Sequence, residues 1–388
     1  MSEPRVVHVV ARLAGGGPTS SLLAHARQGG RHELLVLERE ADRRSVGDVL
    51  RARIRLHLAP DVRWEHAIVR AADVMILHYW NTVSVRAFLD RWRGRSLRWV
   101  LYSRVNGMHR PQMLAPVLAR SAGHLVLTSP HAAHLREDGR VSVIPAVVDP
   151  DRLIAPVRPG PTIAHVGTLN VFKLDPAFVD LHQGAVVVGS GGDEGLWAAR
   201  ARALGRGFDW IGYDPQPWQH AGGARVFSAP TSRYTYASSD KAAQEAMMLG
   251  IPVLTYADSP LAHLVREGVT GYLAADREQY AALVAELAGR EPDRSAVAAA
   301  AHEDHEPQRR LRDLDGILAR VADEPPRVLD DGMPALAQWV AWQTAGARRG
   351  RPELEELMAC DQALADFQAW GCEGGLAQYL NAHPELRP

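Results

Sequence analysis

The sequence predicts an α/β protein of two doubly wound parallel-sheet domains followed by a helical extension, and three observations predict it. Short apolar runs of strand length alternate with helical stretches; a proline-rich stretch interrupts the alternation, which then restarts; and 388 residues exceed what one ordinary core holds.

"RVVHVVA" (5–11) reads as a first strand, "RLAGGGPTS" as a glycine loop, and "SLLAHARQ" as a helix with a cap expected at Ser20 or Ser21. "HELLVLE" (32–38), "RIRLHLA" (53–59), "DVMILHYW" (73–80), "RWVLYSRVNG" (98–107) and "GHLVLTS" (123–129) continue the strands, with helices such as "TVSVRAFLDRW" between them. "VSVIPAVVDPDRLIAPVRPGP" (141–161) reads as an interdomain linker. Beyond it, "TIAHVGTL" (162–169), "GAVVVGSG" (184–191), "GFDWIGY" (207–213), "ARVFSAP" (224–230), "IPVLTYA" (251–257) and "GYLAA" (271–275) read as strands, with helices at "DEGLWAARARAL" (193–204) and "KAAQEAMML" (241–249). The two halves are thus both Rossmann-like. The expected domains are residues 1–155 and 156–300, a helix over 301–323 packing back toward the first domain, and a helical tail over 324–388 bearing Trp339, Trp342 and Trp370.

With 46% hydrophobic and 23% charged residues, a formal net charge of −1 and a pI near 7.0, the chain reads as a globular protein with no bulk attraction to nucleic acid or anionic lipid. The apolar run between Arg5 and Arg12 is too short for a signal core or a membrane span, so the cytoplasm is the expected compartment. Cys360 and Cys372 show neither a disulfide framework nor zinc spacing. Tryptophans at helical spacing in the tail suit a core or a partner, and a homodimer through the tail is one expectation.

Only two of the 44 basic residues are lysines, Lys173 and Lys241. In "SSDKAAQEAMMLG", Ser238, Ser239 or Asp240 can cap a helix that Gly250 and Pro252 end. Lys241 then stands in the first turn, where the helix dipole disfavours a cation unless an anion is bound. The simpler account is an exposed i,i+4 pair with Glu245, worth a few tenths of a kcal/mol. Lys173 lies just beyond a strand ending in glycine, so both lysines fall at the carboxyl edge of the second sheet, where open parallel sheets bind ligands. Two ammonium groups beside helix amides suit a diphosphate.

The succession "VIPAVVDPDRL", "IAHVGTLNVFK", "VVVGSGGDEGLWAARARALG", "WIGY" and "QEAMMLGIPVLTY…LVREGVTGYL" resembles family 4 of the retaining GT-B glycosyltransferases, over about residues 5–320. The resemblance implies a GT-B fold and transfer of a sugar from a nucleoside-diphosphate sugar, without metal or other cofactor, to a small-molecule or saccharide acceptor in a cleft between the domains. Lys173 matches the family lysine on the donor diphosphate, and Lys241 would assist it. Gly167, Thr168, Gly189, Tyr213, Ser238, Ser239, Asp240 and Glu245 are the implied donor residues in the second domain, Glu245 matching the carboxylate for the ribose hydroxyls. Thr168 stands where the family has an arginine, and Ala237 where it has a glutamate for the donor sugar; Arg233, Tyr234 and Tyr236 are the expected substitutes.

In the first domain the loop of Gly15, Gly16 and Gly17 would let the backbone approach the donor. His78 ends a strand facing the expected cleft and is a catalytic candidate, as is His109; Tyr79, Trp80 and Asn81, with Arg104 and Asn106, are the candidate acceptor contacts. The family's first-domain histidine corresponds to Arg104, Asn106 or His109, in a register the sequence leaves open. "DPD" (149–151), "HEDHE" (302–306) and "GSGGDEG" (189–195) imitate metal and dinucleotide motifs without their spacing or context, and are assigned no ligand. Two other readings stay open: a sugar-nucleotide epimerase of the same fold, and a non-catalytic nucleotide-sugar-binding subunit.

Overall fold

The computed structural model describes residues 4–14, 17–27, 30–107, 114–148, 153, 160–171, 173–232 and 235–330. Gly15, Gly16, His109, the 149–151 triplet, Arg233, Tyr234, the three tail tryptophans and both cysteines lie outside the described residues. Those described form two compact units, one running to Val147 and taking up the chain again from Gln308, the other spanning Val148–Pro307.

The first unit is a seven-stranded sheet whose order is β3-β2-β1-β4-β6-β7-β8, from β1 (Arg5–Val10), β2 (Arg31–Val36), β3 (Arg55–Leu58), β4 (Val74–Tyr79), β6 (Trp99–Ser103), β7 (His124–Leu127) and β8 (Val141–Val143). Every pairing in it is parallel. Helices α1 (Gly17–Ala26), α2 (Arg43–Arg51), α3 (Val62–Arg70), α4 (Val83–Trp92) and α5 (Pro116–Ser121) connect the strands, and Asp42, Asp61 and Thr82 cap α2, α3 and α4 by accepting first-turn amides. Because helices cover such a sheet, its central strands are buried along their length, all six residues of β4 among them, while the edge strands β3 and β8 are partly exposed.

Two local expectations are corrected here. Residues 141–143, read as linker, form β8, since three residues suffice to add an edge strand beside β7. Ser20 and Ser21 do not cap α1, which already begins at Gly17; Ser21 instead accepts the Val147 amide, 3.1 Å away. A two-stranded antiparallel ribbon, β5 (Ser96–Leu97) with β15 (Arg327–Val328), is too short to leave a periodic signal in the sequence.

The second unit repeats the architecture with six parallel strands in the order β11-β10-β9-β12-β13-β14. They are β9 (Ile163–Val166), β10 (Gly184–Val188), β11 (Gly207–Gly212), β12 (Val226–Ser228), β13 (Val253–Tyr256) and β14 (Gly271–Ala274). Helices α6 (Glu194–Ala203), α7 (Trp218–Ala221), α8 (Lys241–Met248), α9 (Arg277–Ala288) and α10 (Arg294–Asp304) accompany them. One face of the sheet packs Ala164, Val166, Phe227 and Val253 against Ala243, Ala246 and Met247 of α8 and Trp218 of α7.

The chain then returns to the first unit in α11 (Pro307–Asp323). Its Leu314, Ile317, Leu318 and Val321 repeat at helical spacing and bury against Val6, Ile76, Val100 and Val126 of the first sheet. Four such side chains leaving water contribute roughly 6–12 kcal/mol as an upper bound.

Candidate functional site

In both sheets the strand order reverses once, between β1 and β4 in the first and between β9 and β12 in the second. Loops diverge at such a point and leave a crevice at the carboxyl ends of the strands.

At the second switch point the loop after β9 is pinned from several sides. The Gly167 amide donates to Val188 O, the Val171 amide to the buried Asp193 carboxylate at 3.0 Å, and the Asp175 amide to Pro230 O at 2.8 Å. Ser232 N donates to Lys173 O at 3.0 Å, which ties this loop to the one after β12. Gly189 approaches so closely that a side chain there would collide with the Gly167 carbonyl. Thus fixed, the loop delivers Lys173 back over Gly167: a Cβ on Gly167 would lie 2.7 Å from Lys173 Nζ and 3.2 Å from His165 Nε2.

The partner of Lys173 is Asp240, whose Oδ2 lies 2.9 Å from Nζ. Asp240 is also the N-cap of α8, its Oδ1 accepting the Ala242 amide at 3.0 Å. Burial works against charge on both groups, yet each holds the other ionised: the Lys173 pKa is raised above its ordinary value and that of Asp240 is lowered. The next residue, Lys241, pairs at 2.5 Å with Glu245 one turn further on, and Glu245 Oε2 accepts from Trp218 Nε1 at 2.9 Å. The i,i+4 pair of Lys241 is therefore present, but half-buried rather than exposed as the spacing alone suggested.

His165 lies beneath these groups. It is fully buried, donates from Nδ1 to Ser228 O at 2.8 Å, and leaves an Nε2 lone pair with no hydrogen-bond partner. Burial, followed by the nearby Lys173 charge, lowers its pKa to about 4, so the ring is neutral. Ser238 is buried, Ser239 accepts from Gln244 Nε2 at 3.0 Å, and Tyr236 lies near Lys173. Tyr213, at the end of β11, is 67% exposed. A cavity of about 380 Å³ opens at the carboxyl ends of β12 to β14, lined among others by Asp175, Ser232, Asp258, Asp276 and Arg277.

At the first switch point the structure brings His78 and Arg104 together, both buried. Arg104 donates to His78 Nδ1 from Nη2 at 2.9 Å and from Nε at 3.1 Å, and its guanidinium lies 3.7 Å from the Tyr102 ring centroid. A guanidinium has no lone pair, so His78 Nδ1 is the acceptor and its Nε2 carries the hydrogen. That hydrogen goes to His8 Nδ1 at 3.0 Å, and His8 Nε2 in turn donates to His32 Nδ1 at 2.9 Å. Burial holds His8 and His78 well below the usual imidazole range. Tyr79, Asn81 and Asn106 are also buried, Trp80 is partly so, and Gly17 opens α1.

Ring nitrogens of His8, His25 and His32 lie within 4.8 Å of one another, a spacing that a divalent transition metal can bridge. His25 hydrogen-bonds Asp315 through Nε2 at 2.7 Å and leaves Nδ1 without a partner. The polarity set by Arg104 nevertheless commits the facing nitrogens of His8 and His32 to each other, so in this state His25 alone offers a lone pair.

Sequence reasoning missed Asp240 as the partner of Lys173, and missed His165 and Trp218. A histidine within the apolar run "IAHV" was the available signal for His165; the other two contacts join segments that no local pattern relates.

Residues 179–304 match the family described as Glycosyl transferases group 1. No curated protein sequence matches the chain. Among solved structures, the chain is similar to Anabaena HepE in complex with UDP-glucose, with a TM-score of 0.66 and 15% identity over 82% of this chain and 100% of that one. It is similar to a glycosyltransferase from Rickettsia africae, with a TM-score of 0.60 and 12% identity over 84% and 100% of the two chains. It is also similar to AviGT4, a glycosyltransferase involved in avilamycin A biosynthesis, with a TM-score of 0.57 and 17% identity over 82% and 98%. At these identities the likeness is one of fold, and the fold is GT-B: two Rossmann-like parallel-sheet domains with a helix following the second. No helix among the described residues is long and apolar enough to cross a membrane.

Proposed function

We propose that this chain is a retaining glycosyltransferase that takes a sugar from a nucleoside-diphosphate sugar, without a metal, and passes it to a small-molecule or saccharide acceptor. The observation that carries the reading is Lys173, held over Gly167 beside the first turn of α8 at the switch point of the second sheet. An ammonium and helix amides there suit the charge that develops on a departing diphosphate. The match to Glycosyl transferases group 1 over 179–304 contains Lys241 and Glu245, and HepE, similar in fold, was crystallised with UDP-glucose.

Retention fits front-face attack. In the ligand-free protein the carboxylates nearest the lysines are engaged, Asp240 by Lys173 and Glu245 by Lys241 and Trp218, which fits attack without a carboxylate nucleophile. With Ala237 in place of a glutamate, the carboxylates of Asp258 and Asp276 in the neighbouring cavity can accept hydroxyls of the donor sugar.

The test is a thermal-shift screen against UDP, GDP, ADP and TDP, followed by transfer from the matching sugar nucleotide with and without EDTA. A ligand at 100 times its Kd stabilises the fold by about 2.7 kcal/mol. A selective shift, EDTA-resistant turnover and an unchanged anomeric configuration by NMR are expected; loss of turnover in EDTA or an inverted product would sink the corresponding part. Ala237, Thr168 and the two neutralised lysines favour one second reading, a nucleotide-sugar-binding subunit without activity. Tight nucleotide binding by calorimetry with no turnover against any acceptor would establish it, while conversion of donor alone would identify an epimerase.

A further inference from the structure

We propose that the Asp240 carboxylate is an internal anion that occupies the phosphate position of this pocket until a ligand displaces it, and so sets the affinity of the pocket for diphosphates. The proposal rests on the reading of the pocket as a diphosphate site.

Asp240 uses its two oxygens on two different kinds of donor. Oδ1 takes the Ala242 amide in the first turn of α8, and Oδ2 takes the Lys173 ammonium. These are the donors that a phosphate oxygen would seek at a helix N-terminus. With Lys241 held by Glu245, two lysines face two carboxylates, and a diphosphate entering the pocket meets no net charge from these four side chains.

The charge of Asp240 is not needed to cap α8, because serine and asparagine cap as well as aspartate. It is needed by Lys173, whose side chain is only 12% exposed and would otherwise keep a buried charge without a counter-ion. A phosphate can take over that duty. The site is also prepared for the exchange from below: the unpartnered Nε2 lone pair of the fully buried His165 faces the same gap over Gly167. An ammonium released by Asp240 therefore keeps an acceptor in place. Binding is then an exchange in which the Lys173–Asp240 pair opens, Lys173 pairs with the phosphate, and the Asp240 carboxylate returns to water.

The experiment measures binding of inorganic pyrophosphate and of UDP by calorimetry to the full chain, to Asp240→Asn and to Lys173→Met/Asp240→Asn. Asn keeps the cap and the shape and removes the charge. Asp240→Asn is expected to bind pyrophosphate at least tenfold more tightly than the unaltered protein, and the double variant to lose that gain. Should Asp240→Asn fail to fold, Asp240→Ser retains a hydroxyl cap and carries the same expectation. Equal or weaker pyrophosphate binding in a folded Asp240 variant overturns the proposal. A gain for pyrophosphate with no nucleoside diphosphate bound by any variant upholds the internal anion and sinks the nucleotide-sugar reading instead.

Discussion

Lys173 Nζ lies 2.9 Å from Asp240 Oδ2, and this contact joins the loop after β9 to the first turn of α8 in a largely buried place. Removing one partner strands the other. Lys173→Met is therefore expected to cost about 3–5 kcal/mol in urea unfolding, whereas Lys173→Met/Asp240→Asn, which removes both charges, recovers most of it. Sugar transfer should be lost in both. Full stability of the single variant would show that water screens the pair.

Lys241 should behave in the opposite way. Its i,i+4 pair with Glu245 is partly exposed, and such pairs contribute at most about 1 kcal/mol. Lys241→Ala is expected to leave the urea midpoint nearly unchanged and to lower the turnover number at least about tenfold, if the ammonium assists the leaving diphosphate. Equal turnover in the variant and the unaltered protein assigns Lys241 to the ion pair alone.

The contrast between the two lysines marks what the sequence could and could not convey. Strand and helix order was legible because each half alternates apolar runs with capped helices, and the carboxyl-edge position of Lys173 follows from the strand that precedes it. The i,i+4 spacing also gave the Lys241–Glu245 pair directly. The Lys173–Asp240 contact was hidden, because it depends on how the two loops at the switch point fold toward each other. His78 shows a second limit. Its strand-end position was legible, but β4 is buried on both faces, so period-two alternation does not say which neighbours a side chain meets. Only the sheet order reveals that His8 and Arg104 flank it.

The buried histidines make stability pH-dependent. Burial lowers His165 and His182 to about 4, below the unfolded value near 6.5. Above pH 6.5 neither state is protonated at these rings and the stability is complete. Between pH 6.5 and about 4 only the unfolded chain takes up the protons, so stability falls with pH by about 1.4 kcal/mol per unit for each ring. Below that window the loss levels off. Urea midpoints measured at pH 7.0, 5.5 and 4.5 check this, and a constant midpoint would contradict the burial of these rings.

The hydrogen-bond polarity at the first switch point predicts metal behaviour. Arg104 fixes the hydrogen of His78 on Nε2, and through His8 this closes the facing nitrogens of His8 and His32. In the unaltered protein Co²⁺ is expected to produce no tetrahedral absorption. Arg104→Met lets His78 and His8 exchange tautomers, opens His8 Nε2 beside His25 and His32, and should bring that absorption in. Strong Co²⁺ spectra in the unaltered protein would show that Arg104 does not set the direction of the chain.

Two glycines at the second switch point separate site geometry from folding. The atoms nearest a Cβ on Gly167 belong to two side chains, Lys173 Nζ at 2.7 Å and His165 Nε2 at 3.2 Å, and the flexible lysine can retreat. Gly167→Ala is thus expected to fold, at a melting temperature lowered by the disturbed Lys173–Asp240 pair, while binding UDP at least about tenfold more weakly, because the ammonium no longer sits over the loop. A Cβ on Gly189 collides with the Gly167 carbonyl, which Gly167 N–H···O=C Val188 holds in register with β10. Backbone cannot retreat there without breaking the pairing of β9 and β10. Gly189→Ala should therefore lose stability by about 1–3 kcal/mol before any question of binding arises. Tight UDP binding by folded Gly167→Ala would remove Lys173 from the donor site.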